Sequence, residues 1–183
     1  IINEIKTLVE HGFKEIVLTG IHTAHYGLDI KGVSFSDLVE EICQIPDLYR
    51  LRISSIEESE IDEKFISLLK KYPQIADHLH MPLQSGSPGV LKRMCRKYNV
   101  NDFINKVNTI REVRPNIAIT TDVIVGFPGE SEEDFMDTYN LCKEVGFKEI
   151  HVFPYSVRPG SVAANFKDQI DPKIKTERSK RLF

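Results

Sequence analysis

The chain has 183 residues, with 24 Lys and Arg against 27 Asp and Glu for a formal net charge of −3, and is 41% hydrophobic and 28% charged. That length fits one domain with a sizeable core, and the charge balance leaves no global nucleic-acid footprint. No apolar run approaches the roughly 20 residues of a bilayer-spanning helix, and the N-terminus lacks a signal-peptide pattern, so no membrane association and a cytoplasmic location are expected.

Helix-period and strand-like segments alternate along the chain. "IINEIKTLVEHG" opens as a helix and "EIVLTG" follows as a short apolar strand. Then come "FSDLVEEICQI" (helix), "YRLRISSI" (strand), "IDEKFISLLKKY" (helix) and "DHLHMPL" (strand). Helices over "PGVLKRMCRKY" and "VNDFINKVNTIREV" lead to the strand "IAITTDVIVGF", the helix "SEEDFMDTYNLCKEVG" and the strand "KEIHVFPYS". Such alternation, with Val- and Ile-rich strands, predicts a parallel sheet covered by helices. The stretches "EHGFKEIVLTG" and "EVGFKEIHVFP" echo one another, and Gly12 and Gly146 in them fit the residue just past a helix end. No Gly-x-Gly-x-x-Gly turn is present, which favours a closed or partial barrel over a dinucleotide fold. The last helix, "DPKIKTERSKRLF", starts with Asp171 as cap and Pro172 in its first turn, and its basic run is expected to be a solvated face.

Ligands of parallel α/β folds sit beyond the C-terminal ends of the strands. The polar residues at those ends are Thr19, His22, His25 and Tyr26; Ser54, Ser55 and Glu57; Gln84, Ser85 and Ser87; Thr121, Asp122, Gly126 and Glu130; and Tyr155, Ser156 and Arg158. Five polar strand mouths exceed what loops require, so a ligand site is expected at this face. Ser87 with Pro88, and Ser131 with Asp134, read as helix starts. Their backbone N–H groups are expected to face the site, where an anion could settle. Most of the basic cluster Lys92, Arg93, Arg96 and Lys97 reads as a solvated helix face.

His78 and His80 point to one face of a strand. A His-x-His pair is one signature of metal-dependent barrel hydrolases, but a zinc site needs three or four ligands and no suitable third histidine accompanies it. The pair is therefore read as scaffold and no metal site is assigned. Cys43, Cys95 and Cys142 are too widely spaced for a C-x-x-C pair and read as free thiols that ligate no cluster.

"LTGIHTAHYG", "RISSIEESEI", "HMPLQSGSPGVLKRMCRKY", "TDVIVGFPGESEEDF" and "FPYSVRPGSVA", in that order, resemble the catalytic barrel of the radical S-adenosylmethionine methylthiotransferases. The resemblance covers nearly the whole chain. It implies an α/β fold, a partial (β/α)6 TIM-like barrel of the radical S-adenosylmethionine type lacking its first strand, over residues 1–183. It also implies a [4Fe–4S] cluster that reductively cleaves S-adenosylmethionine to a 5′-deoxyadenosyl radical, which abstracts hydrogen from a substrate adenine. A second cluster in a separate N-terminal domain supports sulfur insertion, a reducing partner feeds the clusters, and a small C-terminal domain helps hold the tRNA. "LTGIHT" and "RISSIE" look most like the branch that methylthiolates threonylcarbamoyladenosine beside the anticodon; other branches act on another tRNA adenosine or on a ribosomal protein.

The chain holds no C-x-x-x-C-x-x-C, so the cluster ligands and both outer domains are expected outside it, and the isolated barrel is expected to be inactive. By the resemblance, Glu57 and Gln84 contact the methionine end and ribose of S-adenosylmethionine, and the strand with Val123, Val125 and Gly126 packs on its adenine. Backbone groups from Phe153 to Tyr155 hydrogen-bond the base, Arg158 meets the carboxylate or the RNA, and Ser85 and Asp122 complete the cofactor set. A missing first strand would expose the edge of "EIVLT" and favour an edge-strand dimer. Two rival readings are a metal-dependent hydrolase built on His78 and His80, and a non-catalytic RNA-binding module.

Overall fold

The computed structural model describes residues 1–20, 23, 26–27, 29–30 and 32–182. They form two compact units, Ile1–Met81 with Lys106–Ile119, and Pro82–Asn105 with Thr120–Phe183. The expected alternation of helices and strands is present in both.

In the first unit, α1 (Ile2–Glu10) buries Ile5 and Val9, four residues apart on one face. It stops at Gly12, whose φ of 93° is open to glycine, where the Gly12 amide donates to the Val9 carbonyl and the Phe13 amide to that of Leu8. β1 (Glu15–Leu18) pairs in parallel with β2 (Arg50–Ile53), Glu15 opposite Arg50, and Leu51 bridges Ile75 in parallel. α2 (Phe35–Cys43) opens with a reciprocal capping box between Ser34 and Asp37. The Lys64 ammonium 2.6 Å away, then Ser34, hold the Asp37 carboxyl at about 2. α3 (Glu63–Lys71) is capped by Asp62, which accepts the Phe65 amide at 2.6 Å, and fully buried Phe65 stacks on Phe35 with ring centroids 6.4 Å apart. Arg114, just past α5 (Val100–Val113), closes the other end of α3 by donating to the carbonyls of Leu69 and Tyr72.

"DHLHMPL" is regular only over β3 (His78–His80). Pro82 has no N–H to donate to a ladder, so the strand stops before it. Leu79 is buried while His78 and His80 on the opposite face are half-buried. The Ile56 amide donates to the His80 carbonyl, and the Ala118 amide, opening β4 (Ala118–Val125), donates to that of Asp77.

In the second unit β4 pairs in parallel with β5 (Glu149–Pro154), Asp122 opposite His151. On its other side the Gln84 amide donates to the Asp122 carbonyl and the Ile124 amide to that of Gln84, both at 2.8 Å. Around this ladder lie α4 (Pro88–Arg93), α6 (Glu132–Val145) and α7 (Pro172–Leu182). Val123, Val125, Phe103 and Phe135 are fully buried or nearly so. α6 ends at Gly146, in the left-handed conformation, as its sequence suggests.

Ser87 and Ser131 cap α4 and α6, with Pro88 in the first turn. The amides expected to await an anion are instead satisfied internally. That of Val90 goes to the Ser87 hydroxyl, that of Ser131 to Asp134, and that of Gly86 to the Thr138 hydroxyl at 2.9 Å. The basic segments also differ from a uniformly solvated face. Arg93 donates to the Gly129 carbonyl at 2.7 Å, and Arg178 is only 5% exposed.

The turn between Gln84 and α4 lies hard against α6. A Cβ added at Gly86 would come within 2.6 Å of the Thr138 Cα, a backbone atom that cannot swing aside. Gly86→Ala is therefore expected to cost about 1–3 kcal/mol by overpacking, measured as a lower midpoint in urea unfolding. An unchanged midpoint would show that the turn does not pack on α6.

Candidate functional site

β4 alternates its side chains, so Asp122 and Ile124 share one face and Val123 and Val125 the other. Val123 and Val125 go into the core. Asp122 and Ile124 form the base of a cavity of about 570 Å³, at the C-terminal ends of β4 and β5. Phe127, Phe153, Pro154 and Tyr155 give it apolar walls, while Gln84, Ser156, Arg158 and Ser161 supply polar groups. Size, apolar lining and a few convergent polar groups are the marks of a small-molecule site.

Gln84 stands at this cavity with φ 62°, a left-handed conformation that costs a residue with a Cβ about 1–2 kcal/mol. The two backbone hydrogen bonds to β4 hold it there. Strained residues of this kind cluster at functional sites. Tyr155 packs edge-on against Phe127 at 5.2 Å, and Phe127 edge-on against Phe166 at 6.3 Å. The Tyr155 amide donates to the Val125 carbonyl at 2.8 Å, and its phenolic oxygen is buried without a hydrogen-bond partner among the described residues. A buried hydroxyl left unsatisfied is costly, and a polar ligand group would satisfy it. Asp122 lies 3.2 Å from His151 Nδ1, and His151 Nε2 lies 3.4 Å from Glu149. Arg158 is exposed and forms no ion pair among the described residues, which leaves a guanidinium at the mouth for a carboxylate or phosphate.

The cofactor residues expected from the sequence are thus divided. Gln84, Asp122, Tyr155 and Arg158 line one cavity. Val125 takes the opposite face of β4 and goes into the core, while Ile124 lines the cavity. Ser85 is buried, bonding the Thr138 hydroxyl at 3.2 Å and accepting the Ser87 amide, so its oxygen is spent on the turn. Gly126, with φ 69°, donates its amide to Glu130 Oε1 at 2.8 Å. Glu57 belongs to the first unit, where it opens a 3-10 turn and exchanges capping hydrogen bonds with Glu60. His22 and His25 lie outside the described residues.

Sequence reasoning missed the support beneath the cavity. Arg178 Nη1 donates to Glu130 Oε1 at 2.6 Å and to the Glu130 carbonyl at 3.1 Å, in a pair almost wholly withdrawn from water. Burial raises the Glu130 carboxyl above the usual range, opposed by the Gly126 amide and the Arg178 charge. Burial also raises the Asp134 carboxyl, but hydrogen bonds from Ser87 and Ser131 outweigh it and hold Asp134 below its ordinary value. Nothing in the charge run "KIKTERSKR" marks Arg178 as the buried member.

Burial pushes the Cys43 and Cys142 thiols up to about 12, so both stay protonated and poorly reactive at neutral pH. Among the described residues no group suited to a metal includes a cysteine. At pH 8 iodoacetamide is expected to modify the exposed Cys95 alone, with Cys43 and Cys142 labelled only after unfolding. Rapid labelling of all three, read by mass spectrometry, would contradict this arrangement.

A family model described as the radical SAM superfamily matches residues 1–142. The chain is 50% identical over 184 aligned positions to threonylcarbamoyladenosine tRNA methylthiotransferase MtaB of Bacillus subtilis (strain 168), across 100% of this chain and 41% of that protein. It is 43% identical to the tRNA-2-methylthio-N(6)-dimethylallyladenosine synthase of Acetivibrio thermocellus, across 100% of this chain and 38% of that one. The chain thus spans about two-fifths of the length of these relatives. Among solved structures, Elp3 of the archaeon Methanocaldococcus infernus superposes with a TM-score of 0.59 at 16% identity, over 99% of this chain and 47% of that one. The cobalamin-dependent S-adenosylmethionine radical enzyme OxsB superposes with a TM-score of 0.61 at 10% identity, over 97% and 25%. At such identities the likeness is one of fold, an α/β domain with parallel strands. With a family model matching most of its length, the chain belongs to the radical SAM superfamily.

Proposed function

We propose that this chain is the S-adenosylmethionine-binding part of a tRNA methylthiotransferase, with threonylcarbamoyladenosine as the modified base. The observation that carries the reading is the cavity at the ends of β4 and β5, in a chain of this superfamily. In this reading the strands belong to a partial (β/α)6 barrel whose first strand, cluster-binding loop, second-cluster domain and RNA-binding domain are supplied elsewhere in the protein. A reducing partner and the tRNA complete the system, and the 50% identity to the B. subtilis enzyme favours the threonylcarbamoyl branch.

The residues present fit the nucleoside and amino-acid ends of S-adenosylmethionine. Ile124, Phe127 and Phe153 offer apolar surface to an adenine, and the unpartnered Tyr155 hydroxyl offers it a hydrogen bond. Gln84 supplies amide donors and acceptors to ribose hydroxyls, and Arg158 a charge to the carboxylate. Glu57, by resemblance, serves the methionine end. When bound beside a reduced iron–sulfur cluster, S-adenosylmethionine supplies the hydrogen-atom abstraction that opens an adenine ring position to sulfur. The chain's own part is to orient that cofactor and exclude water with its aromatic walls.

The reading is tested in the full-length setting by replacing the matching segment of the B. subtilis enzyme with this chain. Expressed in cells lacking that enzyme, the hybrid is expected to restore the 2-methylthio derivative of threonylcarbamoyladenosine in tRNA, measured by liquid chromatography and mass spectrometry. Gln84→Gly in the same hybrid removes the side chain while relieving the backbone, so soluble protein is expected to persist while product falls by about tenfold or more, the loss of one good polar contact. A well-expressed hybrid with no methylthiolated adenosine would overturn the reading. Product on dimethylallyladenosine instead would move the protein to the other branch.

A further inference from the structure

We propose that α7 is a positioning clasp for the cavity, in which Lys175 and Arg178 hold the ends of β5 and β4 in the shape that binds the cofactor. The proposal rests on the reading of that cavity as the S-adenosylmethionine site.

α7 is an unusual cover for a sheet. Its one buried residue is Arg178, and Ile174 is 41% exposed, so apolar burial contributes little to its attachment. Polar contacts hold it instead, and they converge on two points. Lys175 Nζ donates to the Tyr155 carbonyl at 2.9 Å and stands 5.1 Å from the centroid of the same ring, a hydrogen bond and a cation–π contact on one cavity residue. The stem of Lys175 lies where a side chain at Gly126 would be, so the absence of a Cβ there admits it. Three residues on, and so on the same helix face, Arg178 reaches Glu130 Oε1, the atom that also accepts the Gly126 amide.

Two arms therefore run from one helix face to the two strand ends that wall the cavity. One goes from Lys175 to Tyr155, the other from Arg178 through Glu130 to Gly126. A helix serving only as a lid over the core would bury leucines or isoleucines. This one spends its inward-facing side chains on a backbone carbonyl and on the carboxylate that fixes the β4 turn. Arg178 and Arg181 also lie over the Phe135 ring, at 5.5 Å and 4.6 Å, and Arg181 pairs with Glu132 at 2.6 Å, which anchors the C-terminal half of the helix on α6.

The test combines amide hydrogen exchange with calorimetric titration by S-adenosylhomocysteine, a stable probe of the same nucleoside and amino-acid ends. Lys175→Met keeps the stem and removes the charge and donor; Lys175→Arg restores both; Lys173→Met, two positions away, is the control. Lys175→Met is expected to speed exchange at residues 126–127 and 153–158 and to weaken probe binding, each about tenfold, with α3 unaffected. Lys175→Arg should recover most of both, and Lys173→Met should match the unaltered chain. Unchanged exchange at those segments would overturn the clasp, and so would equal loss in the Met and Arg variants. Weaker binding without faster exchange would also overturn it, by making Lys175 a direct ligand contact. Faster exchange in a chain that never bound the probe would leave the clasp standing and remove the cofactor reading.

Discussion

The cavity depends on Gln84 being stitched into β4. Its amide and carbonyl take the places of a neighbouring strand beside Asp122 and Ile124, and it does so with a left-handed backbone. Everything downstream follows from that placement. The turn that follows presses Gly86 against α6. It then satisfies Ser85 and the Gly86 amide with the Thr138 hydroxyl before starting α4 at Ser87. The strain at one residue is offset by a dense local hydrogen-bond set, as expected where structure is bent to serve a site.

The opposite side of the cavity is secured by charge. A buried ion pair such as Arg178 with Glu130 adds little to stability over a well-packed apolar pair, but removing one partner leaves an uncompensated buried charge at a cost of about 3–5 kcal/mol. Its value here is directional. Glu130 Oε1 serves the Gly126 amide and the Arg178 guanidinium together, so the geometry of the β4 turn and the seat of α7 are set by one atom. Apolar packing would hold the helix as firmly but would leave its rotation over Tyr155 and Gly126 free to drift.

Local chemistry was legible in the sequence where it is local. The caps at Ser87, Ser131 and Asp171, the glycine stops at Gly12 and Gly146, and the order of strands and helices all follow from side chains acting on their own backbone within a few residues. The polar strand ends were legible too, and five of them, Gln84, Asp122, Tyr155, Ser156 and Arg158, meet around one cavity. The assignment of Val125 depended on register. In "TTDVIVG" each face carries apolar residues, Ile124 on one and Val123 and Val125 on the other, and composition does not tell which of them the site uses. Arg178 was hidden because a charge run carries no mark of the long-range partner, Glu130, that draws one member inward. Gln84 was named for its side chain, while its backbone pairs with residues almost forty positions away.

The central claim, that the ends of β4 and β5 form the cofactor cavity, is tested most directly by nuclear magnetic resonance on the 15N-labelled chain titrated with S-adenosylhomocysteine. The account predicts saturable shifts concentrated at Gln84, Asp122, Ile124 and the stretch from Phe153 through Arg158. Shifts confined to the first unit, or none at saturating probe, would contradict it.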